Sequence, residues 1–172
     1  MEDGLKQRNV LFAAVALASL IAVTGLQPAK AQQPYQRTSI SVLQADRLIE
    51  SATREARARN VALAIVVVDE TGEIVIARRM DGALPHTLAI AHGKARTAAR
   101  MRMPTRRLQE SLKSGDLGFL AIDGMVPIQG GLPVKLGNAT IGAIAASGAP
   151  APVDEAVAQA GLAALEVTAS PH

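Results

Sequence analysis

The chain contains no cysteine and no tryptophan. Without thiols it is not a disulfide scaffold, and it has no access to thiolate chemistry, cysteine-bound zinc or an iron–sulfur cluster. Its aromatic residues are one tyrosine and two phenylalanines. That argues against single-strand nucleic-acid binding, which relies on aromatic platforms for base stacking, so no nucleic-acid partner is expected. Ser-His-Asp, zinc-hydrolase and P-loop patterns are also missing. Acids are absent between positions 86 and 107, a stretch that carries Lys94, Arg96, Arg100, Arg102, Arg106 and Arg107. One sign of charge concentrated on one element implies a partner of the opposite sign, in solution or on another subunit.

What is present begins with Lys6 and Arg8, then a nearly uninterrupted apolar run over residues 10–23, then Ala29-Lys30-Ala31. A basic segment, an apolar core and a small-x-small site form the layout of a secretory signal peptide. The apolar run is shorter than the roughly 20 residues a membrane span needs. Cleavage is expected after Ala31, giving a periplasmic or secreted protein with no stable membrane span. The remaining 141 residues make one domain and carry 15 basic and 13 acidic side chains. A thiol-free exported domain of this size holds itself by its core, to which assembly can add.

Residues 32–40 read as a flexible arm, 41–167 as the domain and 168–172 as a tail. Ser41 and Gln44 have capping-box spacing, and Val42, Ala45, Leu48, Ile49, Ala52 and Ala56 recur at helical period up to a left-handed stop at Asn60. Residues 61–69 are β-branched and too apolar to be half exposed, which predicts a central strand. The turn Asp69-Glu70-Thr71-Gly72 returns the chain into a second strand over 73–79. Helices are predicted over 86–101, with Leu88, Ala91, Ala95 and Ala98 as the packing stripe, and over 105–111. Three short strands follow, over 125–128, 132–136 and 140–147, with Gly137-Asn138 as a hairpin turn. A last helix covers 152–166, its acids Asp154 and Glu155 suiting the helix dipole. The fold class is therefore α/β in the sense of an α+β sandwich: a single domain with an antiparallel sheet of about five strands packed by helices.

The run Ile65-Val66-Val67-Val68-Asp69 with Gly72, then Arg79-Met80-Asp81-Gly82-Ala83, then Lys94-Ala95 and Thr97-Ala98-Ala99 resembles the GlcG/HbpS-like haem-binding family, which is related to the C-terminal domain of PduO-type adenosyltransferases. Gly130-Gly131-Leu132-Pro133 resembles that family's GGxP motif, and Ser147-Gly148-Ala149 with Asp154-Glu155 resembles its C-terminal signature. The resemblance implies an α/β sandwich that assembles as a homo-oligomer, with export and the binding of haem or a related tetrapyrrole in some members.

Haem requires an axial donor, an apolar slot and cations for its propionates. His86 and His92 are the candidate ligands. Six residues apart, they lie about 120° apart around a helix and do not face one small site. His92, Arg96 and Arg100 form one stripe. Lys94, Thr97 and Met101 form another face, offering a charge, a hydroxyl and a thioether. Gly130 and Gly131 are candidates for an anion-binding turn. The expected ligand is a tetrapyrrole or a small anion. The alternatives are an organic-acid-binding module built on the arginines and the Gly130-Gly131 turn, or a structural oligomer serving an exported enzyme system. No acid/base constellation assigns an enzymatic activity.

Overall fold

A computed structural model describes residues 36–166. The expected signal peptide, residues 32–35 of the arm and the tail lie outside the described residues. Helix α1 (Val42–Ala58) starts on the expected capping box: Ser41 Oγ accepts from Gln44 N at 3.2 Å and Gln44 Oε1 accepts from Ser41 N at 2.9 Å. Two otherwise orphaned donors are thereby satisfied. The helix buries Ala45, Leu48, Ile49, Ala52 and Ala56, while Val42 in the first turn stays exposed. Asn60 has φ 58°, the left-handed conformation its position past the helix end requires.

Strands β1 (Ala64–Asp69), β2 (Ile74–Arg79), β3 (Gly131–Leu136) and β4 (Ala139–Ser147) form one antiparallel sheet in the order β2-β1-β4-β3. Helices α2 (Thr87–Met101), α3 (Thr105–Lys113) and α4 (Ala151–Glu166) complete the regular structure of the described residues, with a short 3-10 turn at Gly118–Ala121. The central strands are continuously apolar because the sheet is covered on both faces. On one side Ile65, Val67, Ile144 and Ala146 pack against α1 and α4 through Leu48, Ile49, Val157 and Ala158. On the other Ala64, Val66, Val68, Ala143 and Ala145 meet Ala91, Ala95, Ala98 and Ala99 of α2. Small side chains on both partners let that helix lie close to the sheet. No helix among the described residues is long and apolar enough to cross a membrane.

The sheet has four strands, where the sequence pattern predicted about five. Residues 125–128 run without a strand partner. Val126 N donates instead to the Thr97 hydroxyl at 2.9 Å and Gln129 N to Gln109 Oε1 at 2.9 Å. Pro127 between them has no N–H to give to a ladder. Side chains from α2 and α3 thus satisfy this segment, and β3 remains an edge.

Two carboxylates, one half-buried and one buried, organise the chain's reversals. Asp69 Oδ1 accepts from Thr71 Oγ1 at 2.6 Å and from the backbone N–H groups of Thr71, Gly72 and Glu73, each at 2.9 Å, closing the β1–β2 turn. At the far end of the sheet, Asp154 in the first turn of α4 accepts from Ala149 N at 3.0 Å through Oδ1 and from Lys94 Nζ at 2.8 Å through Oδ2. The side chains of that pair are 2% and 3% exposed. Lys94 Nζ also donates to Ala146 O at 3.1 Å, so one ammonium ties α2 to both α4 and β4. Burial pushes the Asp154 carboxyl above its ordinary range, against the opposing hydrogen bond and charge of Lys94. The pair is held together at a desolvation cost, which makes half of it far worse than the whole.

Two outcomes follow from these carboxylates. Burial tends to raise Asp69, but the bonds from Thr71, Glu73 and Gly72 outweigh it and hold the carboxyl below its ordinary 3.8. A depressed value stabilises the fold above the unfolded pKa, and that contribution is lost as pH falls through the folded one. Asp69→Asn should cost about 1–2 kcal/mol at neutral pH and flatten the acid limb of a Tm-versus-pH series; an unaltered acid limb would refute this. For the buried pair, Lys94→Met and Asp154→Asn should each cost about 3–5 kcal/mol in urea unfolding, with the double variant returning to within about 1 kcal/mol of the parent. Simple additivity of the two losses would exclude the coupling.

Candidate functional site

Helix α2 gathers most of the residues singled out by the sequence, and the structure distributes them over surroundings of different kinds. The face bearing Lys94 and Thr97 is buried. Lys94 is committed to Asp154 and Ala146. Thr97 Oγ1 donates to Gly93 O at 2.7 Å and accepts from Val126 N, so its hydroxyl is engaged both as donor and as acceptor. Met101 is half-buried one turn further on. The expected charge, hydroxyl and thioether therefore do not converge on a common space: the first two pin α2 to α4 and to the connector after α3.

The Gly130-Gly131 turn lies directly over Lys94. A Cβ on Gly131 would stand 2.6 Å from Lys94 O, and Gly130, at φ 128°, would place one 2.9 Å from Lys94 Nζ. Gly131 N donates to Thr105 Oγ1 at 2.9 Å. Glycine is required here for close approach of backbone to helix, in a conformation that side chains disfavour. The Gly131 donor is occupied within the protein.

The stripe His92, Arg96 and Arg100 sits over the turn that Asp69 closes. His92 Nε2 lies 3.3 Å from Gly72 O, and Arg100 Nε donates to Thr71 O at 2.9 Å. Arg100 Nη2 is 3.8 Å from Glu73 Oε1, an exposed contact worth little by itself. Arg96 Nη2 donates to Gly124 O at 3.4 Å, while its buried Nε has no partner among the described residues. Carbonyl oxygens of two loops thus take up much of the positive charge that the sequence left without acids. Further along, Arg106 Nε lies 3.6 Å from Glu155 Oε1 and 4.0 Å from Glu110 Oε1, whereas Arg102 and Arg107 are exposed.

His86 stands apart from His92. It is the N-cap residue of α2, exposed, and its ring makes no capping bond. Leu84, two residues earlier, is exposed as well. The first turn of α2 holds no acid, so the positive end of the helix dipole there is unopposed. Among the described residues no three His, Asp or Glu side chains cluster to hold a metal ion.

The role that the sequence reading missed is the pairing of Asp154 with Lys94. The first-turn position of Asp154 suited the helix dipole, and nothing in a separation of sixty residues marked it as the partner of Lys94. The available signal was a lysine on an otherwise small and apolar stripe, which demands a buried acceptor.

The fold is similar to that of a double mutant of HbpS from Streptomyces reticuli, with a TM-score of 0.73 and 30% identity, covering 82% of this chain and 98% of that one. It is similar also to PduOC, solved as a complex with haem, with a TM-score of 0.68 and 26% identity, covering 74% of this chain and 95% of that one. Protein GlcG of Escherichia coli K12 is 32% identical over 108 residues, which span 63% of this chain and 81% of GlcG. The family model described as haem-degrading protein, HbpS-like, matches residues 40–163, and this chain belongs to that family.

Proposed function

We propose that this protein is exported, assembles as a homo-oligomer and binds haem or a related tetrapyrrole in the periplasm or outside the cell, for carriage, sequestration or sensing. The observation that carries this reading is the likeness, over 95% of its length, to a protein solved as its haem complex. The family description points the same way. The signal-peptide pattern of the first 31 residues supports the location.

An exposed donor, an apolar side chain nearby in sequence and a positive helix end at the entrance of α2 support the reading. His86 offers an exposed imidazole at the entrance of α2, with Leu84 beside it for apolar contact. The unopposed helix N-terminus favours a propionate carboxylate nearby. Bound haem would supply the iron chemistry; the chain would supply the donor, the apolar contact and the positive potential. His92 is the second candidate, and its ring must first leave Gly72 O. Thr97 would have to give up the bond that positions Val126.

Hemin titration of the purified protein tests the reading. A saturable Soret shift is expected at micromolar hemin, with His86→Ala weakening affinity by about tenfold or more. His92→Ala should have the smaller effect. Absence of a saturable shift would overturn haem binding. A shift that survives both substitutions would move ligation to Thr97 or Met101.

A further inference from the structure

The Arg79-Met80-Asp81 motif has no part in the haem reading, yet it borders a cavity. Between α1 and the end of β2 lies a space of about 340 Å³ lined by Thr53, Arg57, Arg78, Arg79, Met80 and Asp81. Part of its wall is firmly placed. Arg78 Nη1 donates to Thr53 Oγ1 at 3.2 Å and its Nη2 to Glu50 Oε1 at 2.7 Å. Thr53 in turn donates to Ile49 O at 2.6 Å. Met80 N donates to Leu63 O at 3.0 Å and Ala83 N to Met80 O at 3.1 Å, which fixes the turn carrying Asp81.

The charges are unbalanced. Arg78 is matched by Glu50. Arg57 and Arg79, by contrast, are exposed, and among the described residues their guanidinium groups make no hydrogen bond or ion pair; Asp81 is the carboxylate in the lining, and Glu50 feels the charge of Arg57 only through space. Like charges grouped around a concavity repel one another until a counter-charge enters, and the guanidinium fork suits planar and tetrahedral oxyanions alike.

We propose that the cavity between α1 and the end of β2 binds a small oxyanionic ligand, a carboxylate or a phosphate, through Arg57 and Arg79 on the frame set by Arg78. This site is separate from the haem reading and stands or falls without it. Asp81 opposes the ligand and limits its affinity.

Calorimetry on the protein in low-salt buffer, with inorganic phosphate in one arm and succinate in the other, tests the proposal. Saturable binding is expected in at least one arm, and the tighter arm identifies the phosphoryl or the dicarboxylate class. Arg57→Gln and Arg79→Gln should each weaken it by about tenfold, and Asp81→Asn should strengthen it several-fold. Arg59→Gln, which removes a cation paired with Glu55 outside the cavity wall, should leave binding unchanged. Failure of both anions to saturate would overturn the site, as would equal losses in Arg57→Gln and Arg59→Gln. Because Asp81→Asn is expected to act in the opposite direction to the arginine variants, loss of folding does not imitate the pattern.

Discussion

The pairing of Lys94 with Asp154 is the constraint to which the rest of this fold is fitted. An ammonium and a carboxylate removed from water must satisfy each other and find further partners, or the chain does not close around them. Here the remaining contacts are backbone groups: Ala146 O for the lysine and Ala149 N for the aspartate. The pair therefore fixes, at one point, the middle of α2, the end of β4 and the start of α4. It also dictates what lies above it. The chain entering β3 passes so close to Lys94 that only glycine fits at 130 and 131. A motif that invites comparison with anion-binding turns is thus explained by packing over a buried charge.

A second device of the same kind operates at the opposite end of the sheet. The Asp69 carboxylate gathers four donors and holds the β1–β2 turn in a fixed shape. The carbonyls of that turn then receive Arg100 and face His92. The helix without acids is accommodated by oriented dipoles, with Glu73 contributing an exposed contact. Backbone oxygens do not disclose themselves in a count of charged residues, which is why the basic stripe looked unpartnered in the sequence. The two faces of α2 are in this way largely satisfied within the protein.

Recognition of a ligand is left to the flanks of the helix. His86 stands at its open N-terminal end, and Arg79 closes β2 only a few residues earlier. The connector between them joins an exposed imidazole to a cavity rich in arginine, and Gly82, with φ 85°, lets it turn. Tetrapyrrole binding and oxyanion binding are proposed for the two ends of this one connector. The sheet and the buried pair keep both ends in place.

Local pattern determined much of this protein. The capping box at Ser41, the stop at Asn60, the apolar central strand, the hairpin at Gly137-Asn138 and the alanine stripe of α2 are all written in neighbouring residues, because each depends on interactions within a few positions of the chain. The family was legible for the same reason, in the order of short motifs. Tertiary structure alone decided the number of strands, since the fate of residues 125–128 rests on Thr97 and Gln109, which reach them from other helices. It alone decided that Lys94 meets Asp154 sixty positions away, that Thr97 serves as a strut, and that Arg57 and Arg79 border one cavity. Spacing along a helix states which residues share a face; what that face meets depends on chain closure over long distances, and no local pattern carries that information.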